Sequence, residues 1–261
     1  MIRALVFDLD DTLMPEASFW DAAFEAACRD TSDRRRIALP ALQAAVFGAA
    51  DRMWRASTQF ATYYGIGLGT PSWLLSDFRD VPEVLKHLTG TIRDMQHAAW
   101  AMGLAEIGIR EEVLAVRLSE AFRAERTLHH EPYADVTPML DALLGRYDLA
   151  ILTNGCGDVQ RDKLRAVGWE SVFSTVVISG ELGCGKPDRR AFAHVLGGLN
   201  VSADEAVMIG DSLDRDVAPA RAVGITPIWL ARSMDATMRS DELTIASLDE
   251  LPSMLERIGR A

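Results

Sequence analysis

Short β-rich runs alternate with helical segments through the second half of the chain, and this alternation is the feature that most limits the possible folds. The β-rich runs, preceded by one of the same kind at the start of the chain, are IRALVFDL, DLAILTNG, FSTVVISG, AVMIGDS and TPIWLAR. The helical runs between the later ones are PMLDALLGRY, VQRDKLRAVG, RRAFAHVLGGLN and APARAVG. Strands that alternate with helices imply a parallel sheet with helices on both faces. The sequence therefore predicts a doubly wound, Rossmann-like α/β core.

The segment from about Met14 to about Leu128 lacks this alternation. It contains long helical stretches joined by glycine- and proline-bearing loops, one of which includes YYGIGLGTPSW. The helical stretches are FWDAAFEAACRD, ALPALQAAVFGAADRMWRA and REEVLAVRLSEAFRAER. We therefore predict an α/β core formed by residues 1–14 and 129–261, interrupted by an all-helical cap domain over residues 15–128.

Charge and composition narrow the classes of function. The formal net charge of -11 argues against a general nucleic-acid binder, because phosphate backbones attract clustered Lys and Arg. No apolar run reaches the roughly 18 residues that a membrane helix needs. The start of the chain lacks the layout of a signal peptide, so we expect a soluble, cytoplasmic protein. Three widely spaced cysteines suggest neither a disulfide framework nor a zinc site.

Polar residues with chemical potential follow the predicted core strands. The stretches DLDDTL, LTNG and GDSLDRD end strands, and GKPDRRAF leads into a helix. Open α/β sheets bind their ligands at the carboxyl ends of the strands. We therefore expect these four stretches to meet in one site.

Each stretch supplies side chains of a different chemical kind. Asp8 and Asp10 lie two residues apart, so that a tight turn after Leu9 would aim both at one centre, and Asp211 adds a third carboxylate suited to a hard cation such as Mg²⁺. Thr153 and Asn154 are neutral donors suited to phosphoryl oxygens. Lys186, one of only three lysines, supplies a positive charge among these acids and an anionic substrate.

Together and in this order, the four stretches resemble the signature of the haloacid dehalogenase superfamily of phosphatases, and the helical insert resembles its type-one cap. The resemblance implies that Asp8 is the nucleophile that forms an aspartyl-phosphate. It implies that Asp10 protonates the leaving oxygen and then takes a proton from the water that cleaves the intermediate. A carboxylate oxygen of Asp8, the backbone carbonyl of Asp10 and Asp211 would hold Mg²⁺.

The same resemblance assigns the phosphoryl-binding and supporting residues. Thr153 and the backbone of Asn154 would bind the phosphoryl group, and Lys186 would steady Asp8 and the charge on the phosphoryl oxygens. Asp216 would orient metal-bound water or Lys186. The implied partner is a small-molecule phosphate ester, with no nucleic acid and no membrane, whereas the sequence does not indicate an oligomeric state.

Several neighbouring residues have structural interpretations. Asp11 suits a tight turn through side chain to backbone hydrogen bonds, and Asp214 suits a solvated loop. His129, His130 and Tyr133 fall where the cap would rejoin the core, and are interpreted as structural or solvated. The aromatic residues of the insert are interpreted as helix-bundle core, except that ATYYGIGLGTPSW suits a pocket wall over a ligand.

Three alternative functions remain open. A 2-haloacid dehalogenase attacks carbon and needs no acid two residues after its nucleophile, which Asp10 argues against. A phosphomutase would return the phosphoryl group to substrate, and a non-catalytic metal-binding regulatory module would need no complete set of catalytic residues. Among phosphatases, the motifs and cap length favour the branch that acts on sugar phosphates and nucleotides.

Overall fold

A six-stranded, all-parallel sheet forms the centre of the computed structural model, which describes residues 1–79, 81–232 and 243–260. In these residues the strand order is β3-β2-β1-β4-β5-β6. The strands are β1 (Ala4–Phe7), β2 (Asp148–Thr153), β3 (Thr175–Ile178), β4 (Ala206–Gly210), β5 (Thr226–Leu230) and β6 (Thr244–Ile245). The predicted parallel sheet is confirmed.

Strand β1 lies in the middle of the sheet because every residue of it is apolar and fully buried. It pairs with β2 on one side and with β4 on the other, and Phe7 is opposite both Ile151 and Ile209. The carboxyl ends of three strands therefore lie side by side. The chain passes from β1 to β2 and β3 on one side and then crosses to β4 on the other side of β1, and open α/β sheets bind ligands at such a switch point.

Helices cover both faces of the sheet, as predicted. Leu5 and Phe7 point into one apolar cluster, which includes residues of helices α6 and α11, and Ala4 and Val6 point into the other, which includes α9 and α10. The helices of this part are α6 (Val136–Leu143), α7 (Gly157–Ala166), α8 (Ser179–Leu182), α9 (Arg189–Leu199), α10 (Ala218–Ala222) and α11 (Leu251–Arg260). The alternation of β1 side chains thus builds two cores from one strand.

The insert between β1 and α6 is helical. Its described residues, 15–79 and 81–128, contain no strand. The helices are α1 (Glu16–Arg35), α2 (Leu39–Arg55), α3 (Phe60–Ile66), α4 (Ile92–Glu106) and α5 (Glu112–Ala124). Trp54, Trp73 and Trp100 are fully buried in their shared apolar core, which confirms the structural interpretation of these aromatic side chains. We retain 15–128 as our proposed cap; its residue 80, like residues 233–242 and 261 of the proposed core, lies outside the described residues.

The structure corrects one detail of the insert. The stretch around YYGIGLG was predicted as a loop, but Phe60–Ile66 form a helix that ends at Gly67. Gly67 has a φ of 81°, a left-handed conformation that glycine adopts without strain and that often terminates helices. The loop therefore begins at Gly67.

Polar contacts join the insert to the sheet domain beside helix α7. The carboxylate of Asp158 accepts hydrogen bonds from the Ser76 hydroxyl at 2.6 Å and from the Asp77 backbone N–H at 2.6 Å. Arg126 pairs with Asp77 at 2.9 Å and with Asp162 of α7 at 2.8 Å. These buried, charge-assisted contacts dock the insert close to the loop that follows β2.

No helix in the described ranges is long and apolar enough to span a bilayer. Cys28, Cys156 and Cys184 are all buried free thiols.

Candidate active site

The ends of β1, β2 and β4 place the predicted site residues around one cavity of about 460 Å³. Its lining contains the predicted residues Asp8, Asp10, Thr153, Asn154, Lys186 and Asp211. The fully buried Asp216 lies directly behind it, since its carboxylate contacts Lys186. The structure thus brings the four sequence stretches together.

Lys186 forms the electrostatic centre of the site. Its Nζ lies 2.7 Å from Asp8 Oδ1 and 2.6 Å from Asp216 Oδ1, and its side chain is 2% exposed. Burial lowers the pKa of Lys186, but the carboxylates of Asp216 and Asp8 outweigh this effect and raise the pKa above its ordinary value. The lysine is therefore a permanent cation among these acids.

Burial raises the pKa of Asp8 well above its usual range, and the charges of Asp216 and Asp211 act in the same direction. Lys186 opposes this shift through its charge and its hydrogen bond. The Asp8 carboxylate is thus a desolvated group whose anionic form depends on nearby positive charge. This environment suits a nucleophile that needs a cation beside it.

Asp216 is fully buried, and both of its carboxylate oxygens have partners. Oδ1 accepts from Lys186, and Oδ2 accepts from the backbone N–H of Ser212 at 3.0 Å. A Cβ added to Gly210 would lie 2.3 Å from Asp216 Oδ2, so the last residue of β4 must be glycine for the carboxylate to fit. This geometry suits the supporting role that the sequence suggested.

Asp211 is held by a threonine that sequence reasoning missed. The Thr12 hydroxyl donates to Asp211 Oδ1 at 3.3 Å and accepts from the Asp211 backbone N–H at 3.1 Å. The indole N–H of Trp229 donates to the Asp211 carbonyl oxygen at 2.8 Å. Thr12 is fully buried within DLDDTL, and its position beside three acids was the available signal.

The side chain of Asn154 forms a two-bond clamp with the backbone of Lys186. The side-chain amide of Asn154 donates to the Lys186 carbonyl oxygen at 2.8 Å, and the Lys186 N–H donates to Asn154 Oδ1 at 2.8 Å. Since its side chain is used in this way, the backbone of Asn154 is the group left for a ligand. A Cβ on Gly67 would approach Asn154 Nδ2 to 2.4 Å, so the insert packs directly against this clamp.

Asp10 has two partners on helix α7, neither of which was predicted. Lys163 Nζ lies 2.5 Å from Asp10 Oδ1, and Gln160 Nε2 donates to Asp10 Oδ2 at 2.8 Å. Gln160 Nε2 also donates to the hydroxyl of Thr153 at 2.8 Å. The rarity of lysine was the one sequence signal for Lys163, because its helix pattern is unremarkable.

The remaining acids of the motifs have structural surroundings. Asp11 has a φ of 57°, and its Oδ1 accepts from the Glu16 N–H at 2.9 Å, in agreement with the predicted turn role. Asp214 is exposed, as expected of a solvated residue.

The predicted hinge residues are also in structural contacts. His129 contacts Glu125 at 2.9 Å, and the ring of His130 stacks on Phe19 with centroids 4.3 Å apart. The Tyr133 ring lies under the Arg232 guanidinium at 3.9 Å.

The insert forms the outer wall of the cavity. Helix α3 contributes Tyr64 to the lining, and the glycine-rich loop after it contributes Gly67, Gly69, Thr70 and Ser72, which confirms the predicted pocket wall. Further polar and aromatic lining residues of the insert are Glu16, Asp51, Trp54, Arg55 and Phe60. Arg55 Nε lies 2.6 Å from Asp51 Oδ2, and its guanidinium lies 5.6 Å from the Phe60 ring centroid.

The acid cluster fits a hard divalent cation. Carboxylate oxygens of Asp8, Asp211 and Asp216 all lie within 4.8 Å of one another. An all-oxygen donor set of this kind suits Mg²⁺, which prefers carboxylate, carbonyl and water ligands. Asp8 and Asp211 have oxygens available for the ion, whereas those of Asp216 have protein partners.

The structure therefore has an α/β core with acids after a central strand, a buried lysine beside them and a helical insert over the site. The chain belongs to the haloacid dehalogenase-like hydrolases, whose sequence profile matches residues 2–224. The resemblance drawn from the motifs is therefore confirmed.

Similar proteins include two phosphatases. The phosphoserine phosphatase of Thermus thermophilus is 31% identical over 254 residues, which cover 96% of this chain and 98% of that protein. The N-acylneuraminate-9-phosphatase of Rattus norvegicus is 29% identical over 173 residues, or 64% of this chain and 70% of that protein. Among solved structures, a 2-haloacid dehalogenase from Pseudomonas syringae has a TM-score of 0.63 and 26% identity, with 98% of this chain and 99% of that chain covered.

Proposed function

We propose that this protein is a Mg²⁺-dependent phosphatase that hydrolyses a small organic phosphate monoester through an aspartyl-phosphate on Asp8. The observation that carries the proposal is the placement of Asp8 at the end of the central strand, 2.7 Å from a fully buried lysine and within the carboxylate cluster. The relatives that are phosphatases support the reaction class.

In the first step, a carboxylate oxygen of Asp8 attacks phosphorus and the bond to the leaving oxygen breaks. Protonated Asp10 gives its proton to that leaving oxygen, so that an alcohol departs. Thr153 and the Asn154 N–H donate to the phosphoryl oxygens, and Lys186 stabilises the anionic form of Asp8 and the charge on the phosphoryl group.

In the second step, a water attacks the phosphorus of the aspartyl-phosphate. Asp10, now a carboxylate, takes the proton of this water while the bond between phosphorus and the Asp8 oxygen breaks. Inorganic phosphate leaves, and both acids return to their starting forms. Asp8, Asp211 and the Asp10 carbonyl would hold Mg²⁺, which supplies positive charge to the phosphoryl oxygens.

The cap wall bears on the substrate. Arg55, Asp51 and Tyr64 bring a cation, an anion and a phenol to the cavity opposite the phosphoryl site. We propose that the leaving group is a small polar or charged alcohol, such as that of an amino-acid phosphate, a sugar phosphate or a nucleotide. The predicted partners and the predicted cytoplasmic location belong to the same proposal.

The similarity to a 2-haloacid dehalogenase makes a halide-releasing enzyme the second candidate. The two activities differ in the atom attacked, since a dehalogenase attacks carbon and releases halide. Asp10 lies beside the cavity with its carboxylate held by Lys163 and Gln160, and a reaction that makes a halide anion has no need of this acid. This observation favours the phosphatase, and one assay of both products separates the candidates.

The test is a panel of phosphorylated metabolites with Mg²⁺, in which phosphate release is measured for the wild type and Asp8→Asn. Asparagine keeps the shape of aspartate but lacks an anionic oxygen, so we expect activity to fall at least a hundredfold, within the range of catalytic-group deletions. Asp214→Asn, an exposed acid of the same motif stretch, is the matched control and should retain activity. Residual activity of Asp8→Asn above a tenth of wild type would refute the assignment.

A further inference from the structure

Lys163 is a buried cation whose position the reaction described above does not explain. Its side chain is 2% exposed, and Nζ lies 5.9 Å from the Phe19 ring centroid and 5.8 Å from that of Trp20. A lysine in such apolar surroundings is costly unless an anion is paired with it. The acid in contact with it here is Asp10, at 2.5 Å.

Gln160 completes the surroundings of the same carboxylate. It lies three residues before Lys163 on α7, so the two side chains project from one face of the helix. Lys163 binds Oδ1 of Asp10 and Gln160 binds Oδ2. Both oxygens therefore have a donor from a single rigid element, and rotation of the carboxylate would break at least one of these contacts.

Gln160 also connects two functional groups. Its Nε2 lies 2.8 Å from Asp10 Oδ2 and 2.8 Å from the Thr153 hydroxyl. Thr153 ends β2, and α7 begins four residues later. The segment that supplies the phosphoryl-binding hydroxyl thus also supplies the two side chains that hold the acid.

We propose that Lys163 and Gln160 are positioning residues that fix the Asp10 carboxylate for proton transfer at the leaving oxygen. The proposal rests on the proposed function, because it requires Asp10 to transfer that proton. Lys163 contributes the anchoring charge, and Gln160 sets the spacing between Asp10 and Thr153. A misplacement of about 1 Å at a catalytic group can cost about a hundredfold in rate.

The experiment compares two leaving groups in Lys163→Met, which keeps an unbranched chain but removes the charge. Para-nitrophenolate leaves without a proton, whereas an aliphatic alkoxide needs one. We expect kcat for an aliphatic phosphate ester to fall about a hundredfold and kcat for para-nitrophenyl phosphate less than tenfold. Lys163→Arg, which retains the charge, should recover much of the aliphatic rate.

A double-mutant comparison tests whether Lys163 acts through Asp10. In an Asp10→Asn background, adding Lys163→Met should lower the aliphatic rate no further, because residues that act as a unit are not additive. Lys86→Met, at an exposed lysine of the insert paired with Glu83, is the control for loss of a lysine charge. Circular dichroism checks the fold of each variant. If Lys163→Met does not fold, the same comparison of the two substrates is made with Gln160→Leu.

Equal slowing of both substrates, or full additivity with Asp10→Asn, would overturn the proposal and leave Lys163 a structural residue. Failure of the proposed phosphatase function would be detected separately, with the wild-type enzyme and Asp8→Asn. In that case, the unmodified enzyme releases no phosphate with Mg²⁺, or Asp8→Asn retains its activity.

Discussion

Glu16 offers a prediction that can be worked through from the structure to a measurement. It is the first residue of α1, where the chain leaves the sheet for the insert, and it lines the active-site cavity. Burial raises the pKa of Glu16 from 4.5 to about 7; the charge of Asp10 adds to the shift and that of Lys163 opposes it. The folded protein therefore holds a proton on this group that the unfolded chain has released.

The sign of the effect on stability follows from proton linkage. Between pH 4.5 and pH 7 the folded state binds more protons than the unfolded state, so the free energy of unfolding falls as the pH rises. At about 1.4 kcal/mol per pKa unit the full shift corresponds to about 3 kcal/mol. Because Glu16 is only partly shielded from water, we expect about 1 to 3 kcal/mol.

Glu16→Gln removes this titration while keeping the side-chain shape. The difference in free energy of unfolding, variant minus wild type, should become more positive by about 1 to 3 kcal/mol between pH 5 and pH 8. Urea unfolding at both pH values, followed by tryptophan fluorescence in the presence of EDTA, measures it.

Glu112→Gln is the control for the loss of one glutamate charge, since Glu112 is an exposed glutamate of α5. A Glu16→Gln difference that stays constant, or that is larger at pH 5, would refute the reasoning.

Two further predictions concern the site. If Asp8 and Asp211 form a hard oxygen site, EDTA should abolish phosphate release and added Mg²⁺ should restore it. Ca²⁺ should support little turnover, because it is larger and less strict in geometry. Full activity in EDTA would contradict this prediction. Gly67→Ala should lower kcat/KM about tenfold or more, because its Cβ would lie 2.4 Å from Asn154 Nδ2 and displace the side chain that clamps Lys186. Steady-state kinetics measures it, with Gly65→Ala as control, since a Cβ there meets nothing within 4 Å.

Much of the sheet and the residues at its strand ends could be predicted because both depend on local sequence. An apolar run such as IRALVFDL has to be buried on both faces, and the polar residues after it must then lie at the edge of the sheet. Asp8, Thr153 and Asp211 meet for this reason, in strands whose register is fixed by the parallel pairing. The meeting of three distant stretches followed from topology alone.

Contacts made by helix side chains could not be predicted in the same way. Gln160 and Lys163 are polar residues in an amphipathic helix, where such residues are usually solvated. Their burial depends on the tertiary contacts of α7, which bring Phe19 and Trp20 of helix α1 next to Lys163. This is tertiary information that no pattern in VQRDKLRAVG contains. The helix at Phe60–Ile66 was missed for a related reason, because Gly65 and the two tyrosines before it have lower helix propensity than alanine or leucine.

The two buried lysines of the chain contact different acids of DLDDTL. Lys86 is exposed, whereas the other two lysines are each 2% exposed and each contact one acid of the motif. Lys186 lies 2.7 Å from Asp8 on the side of Asp216, and Lys163 lies 2.5 Å from Asp10 on the side of Gln160. On our proposal, Lys186 stabilises the anionic form of Asp8, whereas Lys163 and Gln160 fix the orientation of the Asp10 carboxyl group.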